Sequence, residues 1–283
     1  MFGRSLLLLV LLCCQTVQAG DTPDTLADIK QSRSIDIAHP GNAPPFSFLK
    51  DGEPAGYSID LCKEVVDSIA GQLGVEAIEI NWREASTPEG LRLVADGVVD
   101  MDCGITTITL GRQERVDFSN EIFVAAGGVL VLDNSGIKGL VSLADKTVAV
   151  IRGTTTEQRL ARALERKHIT TKLVPVRNSD DGMKAVSTGK ADAYAADRMV
   201  LVALVTESEE PERYAMLTEM FSIDPYAFVL PRGDADFRLA VNRALSDVYR
   251  GVALDQIFER WFGPTAQPSE LLRTVYVINA YQD

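Results

Sequence analysis

Two stretches of the chain repeat one pattern, and that repeat restricts the fold more than any other feature. LRLVADGVVDMDC (Leu91 to Cys103) and MKAVSTGKADAYA (Met183 to Ala195) each carry an apolar residue followed by a cation. Val94 or Val186, Gly97 or Gly189, and Asp100 or Asp192 then follow at the same offsets. Each reads as a short helix, a glycine stop and a strand. The alternative is coincidence, because αβ connections of this length recur throughout α/β folds. If the repeat is real, two similar lobes each send a strand end toward a shared cleft. Those ends carry Cys103-Gly104-Ile105-Thr106-Thr107 in one half and Ala196-Asp197 in the other. Ligands of open α/β sheets bind outside the carboxyl ends of strands, so these are the segments to watch.

The rest of the chain fits that frame. The short apolar segments IDIA, AIEI, VVDMDC, TVAVI and KLVPV alternate with amphipathic helical stretches, the signature of βαβ units and a mostly parallel sheet in each domain. In GYSIDLCKEVVDSIAGQLG the residues Leu61, Val65, Ile69 and Leu73 recur every four positions. The spacing predicts a helix capped by Ser58, with Asp60 in its positive first turn and Gly71 and Gly74 ending it. Near the carboxyl end, Phe237, Val241, Leu245 and Val248 form one apolar stripe, and Ile257, Trp261 and Phe262 form another. The tail after Pro264 is polar and then turns apolar at LLRTVYVINAY, which reads as a strap packed on the surface of a lobe.

Composition removes several functions. The chain has 283 residues and a formal net charge of -12, which repels phosphate backbones and anionic lipid. With two histidines, His39 and His168, a multi-histidine metal centre is excluded, and the cysteines are not spaced for a zinc ribbon. No metal or cofactor is expected. Residues 1–19 have an early cation, Arg4, an apolar run from Leu6 to Cys14, and Val17-Gln18-Ala19 before Gly20. This is the pattern of a signal peptide cleaved after Ala19, too short to span a bilayer. A lipoprotein would want a small residue directly before its modified cysteine, and Leu12 and Cys13 do not fit. Cleavage leaves Cys62 and Cys103, which read either as a disulfide in an oxidising compartment or as two small buried hydrophobes.

Catalytic patterns are absent or cheap. Ser47 with Lys50 and Ser187 with Lys190 both match serine-x-x-lysine, and there is no GxSxG, Walker loop, GxGxxG or HExxH. Three other segments have the donors and acceptors to hold a small zwitterion. In CGITTITLGRQERVDFS, the backbone at Gly104 and Ile105, the hydroxyls of Thr106 and Thr107, and the fork of Arg112 can converge on a carboxylate. In VAVIRGTTTEQRL, a strand ends at Gly153 and Thr154, Thr155 and Thr156 open a helix, which presents free N–H groups to an anion. In ADAYAADRM, Asp197 ends a strand and begins a helix, as an N-cap or as an acceptor facing an ammonium group.

In order and spacing, PPFSF (Pro44 to Phe48), GYSIDLC, DMDCGITTITLGRQERVDFS, RGTTTE, DAYAAD, PYAFVLPRGDADFR and QIFERWFG resemble the extracytoplasmic amino-acid-binding proteins of ABC transporters, solute-binding protein family 3. The resemblance covers essentially the whole chain after the signal segment. It implies the type II periplasmic binding protein fold, with two α/β lobes joined by two crossing strands and a ligand cleft between them. Lobe 1 is then discontinuous, residues 21–124 plus 224–283, and lobe 2 is residues 125–223. The crossings are expected near Phe123 to Gly128 and Ser222 to Phe228. The resemblance also implies that Arg112 clamps the ligand α-carboxylate, helped by Thr107 and by the helix start at Thr154 and Thr155. Asp197 would accept from the α-ammonium, with Ile105 and Thr107 as further partners. Similar proteins of the acidic-amino-acid subgroup have cysteines where Cys62 and Cys103 stand, which implies a bridge pinning the helix to the strand that leads into Gly104.

The departures bear on the ligand. Glutamate and aspartate binders carry basic residues at positions that fall on Pro40 and Gly90, and basic-amino-acid binders carry aromatic residues where Ala43 and Thr87 stand. A small or neutral side-chain pocket follows, lined by Phe46, Thr87 and Ser179. A polar or small neutral amino acid ranks first, an acidic one second, with Arg152 as a candidate second cation, and a basic one last. The expected protein is a monomeric, periplasmic, non-enzymatic binder that delivers to an ABC transporter permease. Two alternatives share the fold: a periplasmic cyclohexadienyl dehydratase, for which Asp102 and Glu84 are the candidate general acids, and a ligand-sensing partner of a membrane receptor.

Overall fold

The structure, a computed structural model, describes residues 23–282. The signal segment lies outside the described residues. The chain begins with α1 (Thr25–Ser32), β1 (Ser34–His39), β2 (Asn42–Ala43), β3 (Ser47–Lys50), β4 (Glu53–Ala55), α2 (Tyr57–Leu73) and β5 (Glu79–Glu84). It continues through α3 (Thr87–Ala95), β6 (Met101–Asp102), α4 (Leu110–Gln113) and β7 (Asp117–Phe118). The central part holds β8 (Phe123–Leu132), β9 (Thr147–Ile151), α5 (Thr155–Arg166), β10 (Lys172–Val176), α6 (Ser179–Ser187), β11 (Ala193–Asp197), α7 (Arg198–Thr206), β12 (Tyr214–Met216) and β13 (Ser222–Tyr226). It closes with β14 (Val229–Leu230), α8 (Ala235–Arg250), α9 (Ala253–Phe262) and α10 (Glu270–Asn279).

These elements build two α/β lobes. Lobe 1 rests on a sheet of order β5-β1-β6-β14-β7, and β2-β3-β4 form a small antiparallel sheet beside it. Lobe 2 rests on a sheet of order β10-β9-β11-β8-β12. In each lobe the first strand of the βαβ unit lies between two parallel neighbours: β1 between β5 and β6, and β9 between β10 and β11. Such buried central strands account for the short apolar runs in the sequence. Between the sheets, the first half of β8 pairs antiparallel with β13, from Phe123 opposite Tyr226 to Gly127 opposite Ser222. This ribbon carries the chain out of lobe 1 and back.

The repeat seen in the sequence recurs in detail. Gly97 and Gly189 take left-handed conformations, φ 65° and 68°, that stop α3 and α6. The echoed aspartates then do one job twice. Asp100 accepts from the N–H of Asp36 and Asp192 from that of Thr147, both at 2.8 Å, and each donates its own N–H back to the same residue's carbonyl. Each lobe therefore fixes its incoming strand to the root of its central strand in the same way.

One local expectation changes. The cap of α2 is Gly56, not Ser58, and it makes no side-chain cap bond. Gly56 sits at φ 130°, and a Cβ there would lie 2.2 Å from the Phe46 carbonyl oxygen, so close backbone approach decides the helix entry. The Ser58 N–H donates to that same carbonyl, while its hydroxyl is buried without a partner. The apolar tail forms α10, which buries Leu272 and Tyr276. The Tyr276 hydroxyl lies 2.6 Å from that of Tyr57, and the two stand 3.3 Å and 2.9 Å from the Ile122 carbonyl, which they share. The strap thus holds the residue just before the first crossing strand. The predicted stripe of α8, Phe237, Val241, Leu245 and Val248, is buried as a unit. Among the described residues no helix is long and apolar enough to cross a membrane.

Candidate functional site

A cavity of about 310 Å³ lies between the two sheets. Lobe 1 lines it with Pro40 to Ala43 after β1, Glu84 to Thr87 and Glu89 after β5, and Ile105, Thr107 and Arg112 after β6. Lobe 2 lines it with Ile151, Thr154 to Thr156, Arg177 to Ser179, Tyr194 to Asp197 and Val200. Almost every segment follows the carboxyl end of a parallel strand, where side chains and helix starts of both lobes converge. The lobes already touch: the Thr107 and Thr155 hydroxyls are 3.0 Å apart across the cleft, and Gly153 packs near Pro88.

Arg112 stands on the single-turn helix α4, which Thr109 caps by accepting from the Arg112 N–H at 3.2 Å. Its Nη1 donates to the Thr107 carbonyl at 2.7 Å, which aims the guanidinium along the cleft wall. Burial lowers its pKa, opposed chiefly by the nearby Asp102 carboxylate. No carboxylate lies within ion-pair distance of Arg112 among the described residues. Facing it, the start of α5 is a reciprocal cap: the Glu157 N–H donates to the Thr154 hydroxyl, and the Glu157 carboxylate accepts from Gly153 N–H at 2.8 Å. The N–H groups of Thr155 and Thr156 have no acceptor among the described residues and add a positive helix end beside the Thr107 hydroxyl.

Asp197 ends β11 in the N-cap position of α7, yet its side chain makes no cap bond. It is 9% exposed, and burial pushes its pKa up to about 7. The Tyr226 hydroxyl, which makes no full hydrogen bond of its own, draws that value down, and the Asp224 carboxylate adds to the rise. Among the described residues no cation pairs with this carboxylate, an unfavourable arrangement that a positive charge in the cavity would relieve.

The cavity thus brings together Arg112, Thr107, Ile105, Thr154, Thr155, Thr87 and Asp197. Ser179 and Ala43 also line it, as does Glu84. Phe46 does not. Its ring is fully buried behind the cleft, edge-on to Phe123 at 4.8 Å, Tyr226 at 5.6 Å, Phe262 at 5.8 Å and Tyr57 at 6.2 Å. Burying a phenyl ring in that cluster stabilises the fold by about 2–3 kcal/mol, which outweighs any contact at a wet cleft. Arg152 falls on a neighbouring groove with Ser86 and Pro88. Asp102, 1% exposed, sits behind the wall. One of its oxygens accepts from Thr106 at 2.9 Å, the other has no partner, and burial pushes its pKa up to about 7. Sequence reasoning missed Asn42, Glu89, Arg177, Asn178 and Tyr194. Asn42 opens the short strand β2, Glu89 lies in the first turn of α3, and Arg177 and Asn178 connect β10 to α6, so all four read as ordinary solvated polar positions.

The Cys62–Cys103 pair is a disulfide, with Cα atoms 6.1 Å apart, linking α2 to the residue before Gly104.

Two α/β lobes, a two-stranded crossing and a polar cleft at the strand ends define a binding protein of the type II periplasmic fold. The sequence model for bacterial extracellular solute-binding proteins, family 3, matches residues 35–264, and the chain belongs to that family. It is 28% identical over 257 residues to the L-glutamate/L-aspartate-binding protein of Pseudomonas aeruginosa, covering 90% of this chain and 85% of that one. Among solved structures it is similar to an ancestral arginine-binding protein bound to glutamine, with TM-score 0.72 and 27% identity over 81% of this chain and 98% of that one. It is also similar to an ancestral amino acid-binding protein described as a precursor of cyclohexadienyl dehydratase, with TM-score 0.73 and 25% identity over 84% and 99% of the two chains.

Proposed function

We propose that this chain is the periplasmic, substrate-capturing component of an amino-acid ABC importer, exported by cleavage after Ala19 and acting as a monomer. The observation that carries the reading is that Arg112 from lobe 1 and Asp197 from lobe 2 face one cavity, each without an ion pair of its own among the described residues. A zwitterion is buried without large cost only where both charges are met and hydrogen-bonded. Arg112, Thr107 and the start of α5 take the α-carboxylate, and Asp197 takes the α-ammonium. Because these groups belong to different lobes, the ligand makes its full set of bonds only in the closed form, and binding drives closure. The lobes we infer are residues 21–124 with 224–283, and residues 125–223.

A polar or small neutral side chain suits the far end of the cavity best. Glu84 and Glu89 line it, and Pro40 and Gly90 stand where the acidic binders place cations, which ranks an acidic ligand second. Ala43 and Thr87 offer no aromatic surface for a long basic side chain. A non-enzymatic role is favoured by the position of Asp102 outside the lining, which leaves Glu84 as the one acid of the two named candidates at the cavity. A prephenate turnover assay is the check, and measurable turnover by the purified protein would overturn that part.

The main test is a thermal-shift panel of the twenty amino acids. A ligand at a hundred times its dissociation constant stabilises by ~2.7 kcal/mol, and a shift confined to a few neutral amino acids is expected. No shift with any amino acid would overturn the proposal.

A further inference from the structure

Behind the cleft wall lies a buried ion pair outside the set of groups assigned to the ligand. Asp224, on the returning strand β13, is 1% exposed, and one of its oxygens lies 2.8 Å from Nη1 of Arg159 on α5. The same oxygen is 3.5 Å from the Thr107 hydroxyl, and the other accepts from Ser222. Arg159 also donates to the Ile223 carbonyl. Neither Arg159 nor Asp224 lines the cavity, so the pair stands behind it. It joins three parts of the molecule: a lobe 2 helix, a crossing strand and, through Thr107, the lobe 1 loop that holds Arg112.

The charges nearby are Arg112, Arg159, Asp197 and Asp224, with Asp102 behind the lobe 1 wall. Arg112 feels Asp224 as well as Asp102, and Arg159 as a repulsive neighbour. A carboxylate buried this deeply is costly to leave without a cation. Were Arg159 absent, Asp224 would still feel the charge of Arg112, whose guanidinium is held to the carbonyl of Thr107, the residue whose hydroxyl lies 3.5 Å from Asp224.

We infer that Arg159 is a positioning residue for ligand capture: by engaging Asp224 it keeps that carboxylate from claiming Arg112, which stays open for the ligand carboxylate. The inference rests on the amino-acid reading of the cleft. It assigns Arg159 no contact with the ligand, and this separates it from a second carboxylate clamp.

The test uses the full mature protein at pH 8 and the amino acid with the largest shift in the panel. Arg159→Gln is expected to weaken binding by about tenfold or more, as loss of one member of a buried pair does. Adding Asp224→Asn to that variant removes the competing charge, and affinity is expected to return to within about threefold of the parent. The ligand-free melting temperature should fall in Arg159→Gln and recover in the double variant. A role in packing or in direct ligand contact predicts no such rescue. Unchanged affinity in Arg159→Gln, or a double variant as weak as the single, overturns the inference. Should Arg159→Gln fail to fold, the double variant decides alone, with near-parental affinity expected and loss of binding contradicting it. A parent protein that binds no amino acid is reported by the panel, and that result counts against the amino-acid reading itself.

Discussion

Lobe 1 and lobe 2 bring comparable donors and acceptors to the cleft but hold them by different means. In lobe 1 the loop Gly104 to Thr107 starts one residue after a disulfide to α2, and α2 packs into a cluster of aromatic rings around Phe46, Tyr57, Phe123 and Phe262. Its key cation is then aimed by one more bond, from Arg112 to the Thr107 carbonyl. Lobe 2 has no covalent bridge among the described residues. It presents groups that are fixed by secondary structure itself, the strand end at Asp197 and the start of α5. A long side chain on a one-turn helix needs external bracing, whereas a main-chain N–H at a helix start or a short carboxylate at a strand end does not. Lobe 1 therefore holds its cation by a covalent bridge and added bonds, whereas lobe 2 presents its groups from secondary structure.

The largest expected effect tests both sides together. Arg112→Ala and Asp197→Ala each remove one half of the charge match, and each should weaken amino-acid binding by at least about a hundredfold in calorimetric titration. Near-normal affinity in one of them would assign the binding to the other lobe alone.

Breaking the bracing comes next. The disulfide closes a separation of 41 residues, for which the chain-entropy treatment gives about 4 kcal/mol of stabilisation. Cys62→Ser with Cys103→Ser should lower the unfolding free energy by up to that amount in denaturant titration and weaken ligand binding as well. A loss of stability with unchanged affinity would show that packing, not the bridge, holds the Arg112 side of the cleft.

The lobe 2 side is sharpened by pH. Asp197 must be ionised to accept an ammonium, and in the empty cleft its pKa is pushed up to about 7 by burial. Affinity is therefore expected to fall as pH drops below about 7, approaching tenfold per pH unit, with a proton released on binding. For stability the sign is opposite. A raised carboxyl pKa stabilises the empty fold fully below the ordinary value of 3.8, and this is lost as pH rises through about 7. Asp102, also raised to about 7, acts on stability in the same direction. Titrations in buffers of different ionisation enthalpy measure the released proton, and Asp197→Asn should abolish its release.

The smallest effect concerns the ribbon between the lobes. Tyr276→Phe deletes a hydroxyl shared with Tyr57 and the Ile122 carbonyl and should cost about 1 kcal/mol in thermal unfolding. No change would mean that Tyr57 alone satisfies that carbonyl.

How much of this was legible in the sequence depended on whether a residue's neighbours in space were also its neighbours in sequence. The glycine and aspartate of each repeat act on their own αβ unit, and both units were visible. Arg112, Thr107, Thr154, Thr155 and Asp197 sit near strand ends and helix starts, which turn signals mark, and all five line one cavity. Phe46 was misplaced because an aromatic residue after a proline turn reads alike whether it lines a cleft or fills a core. Ser58 was taken for a cap because the steric demand at Gly56 comes from Phe46, far outside the helix. Arg159 and Asp224 carried no signal at all: each is an ordinary charge in its own segment, and only the packing of α5 against β13 brings them to 2.8 Å.

Recognition of both ends of one zwitterion by opposite lobes is the central proposal. The most direct measurement is calorimetric titration of the parent protein with its tightest amino acid and with two analogues, the amine lacking the carboxylate and the acid lacking the amino group. Both analogues are predicted to bind at least about a hundredfold more weakly than the amino acid. Binding of either one within about tenfold of the amino acid would contradict the account, because the corresponding lobe would then contribute no essential charge.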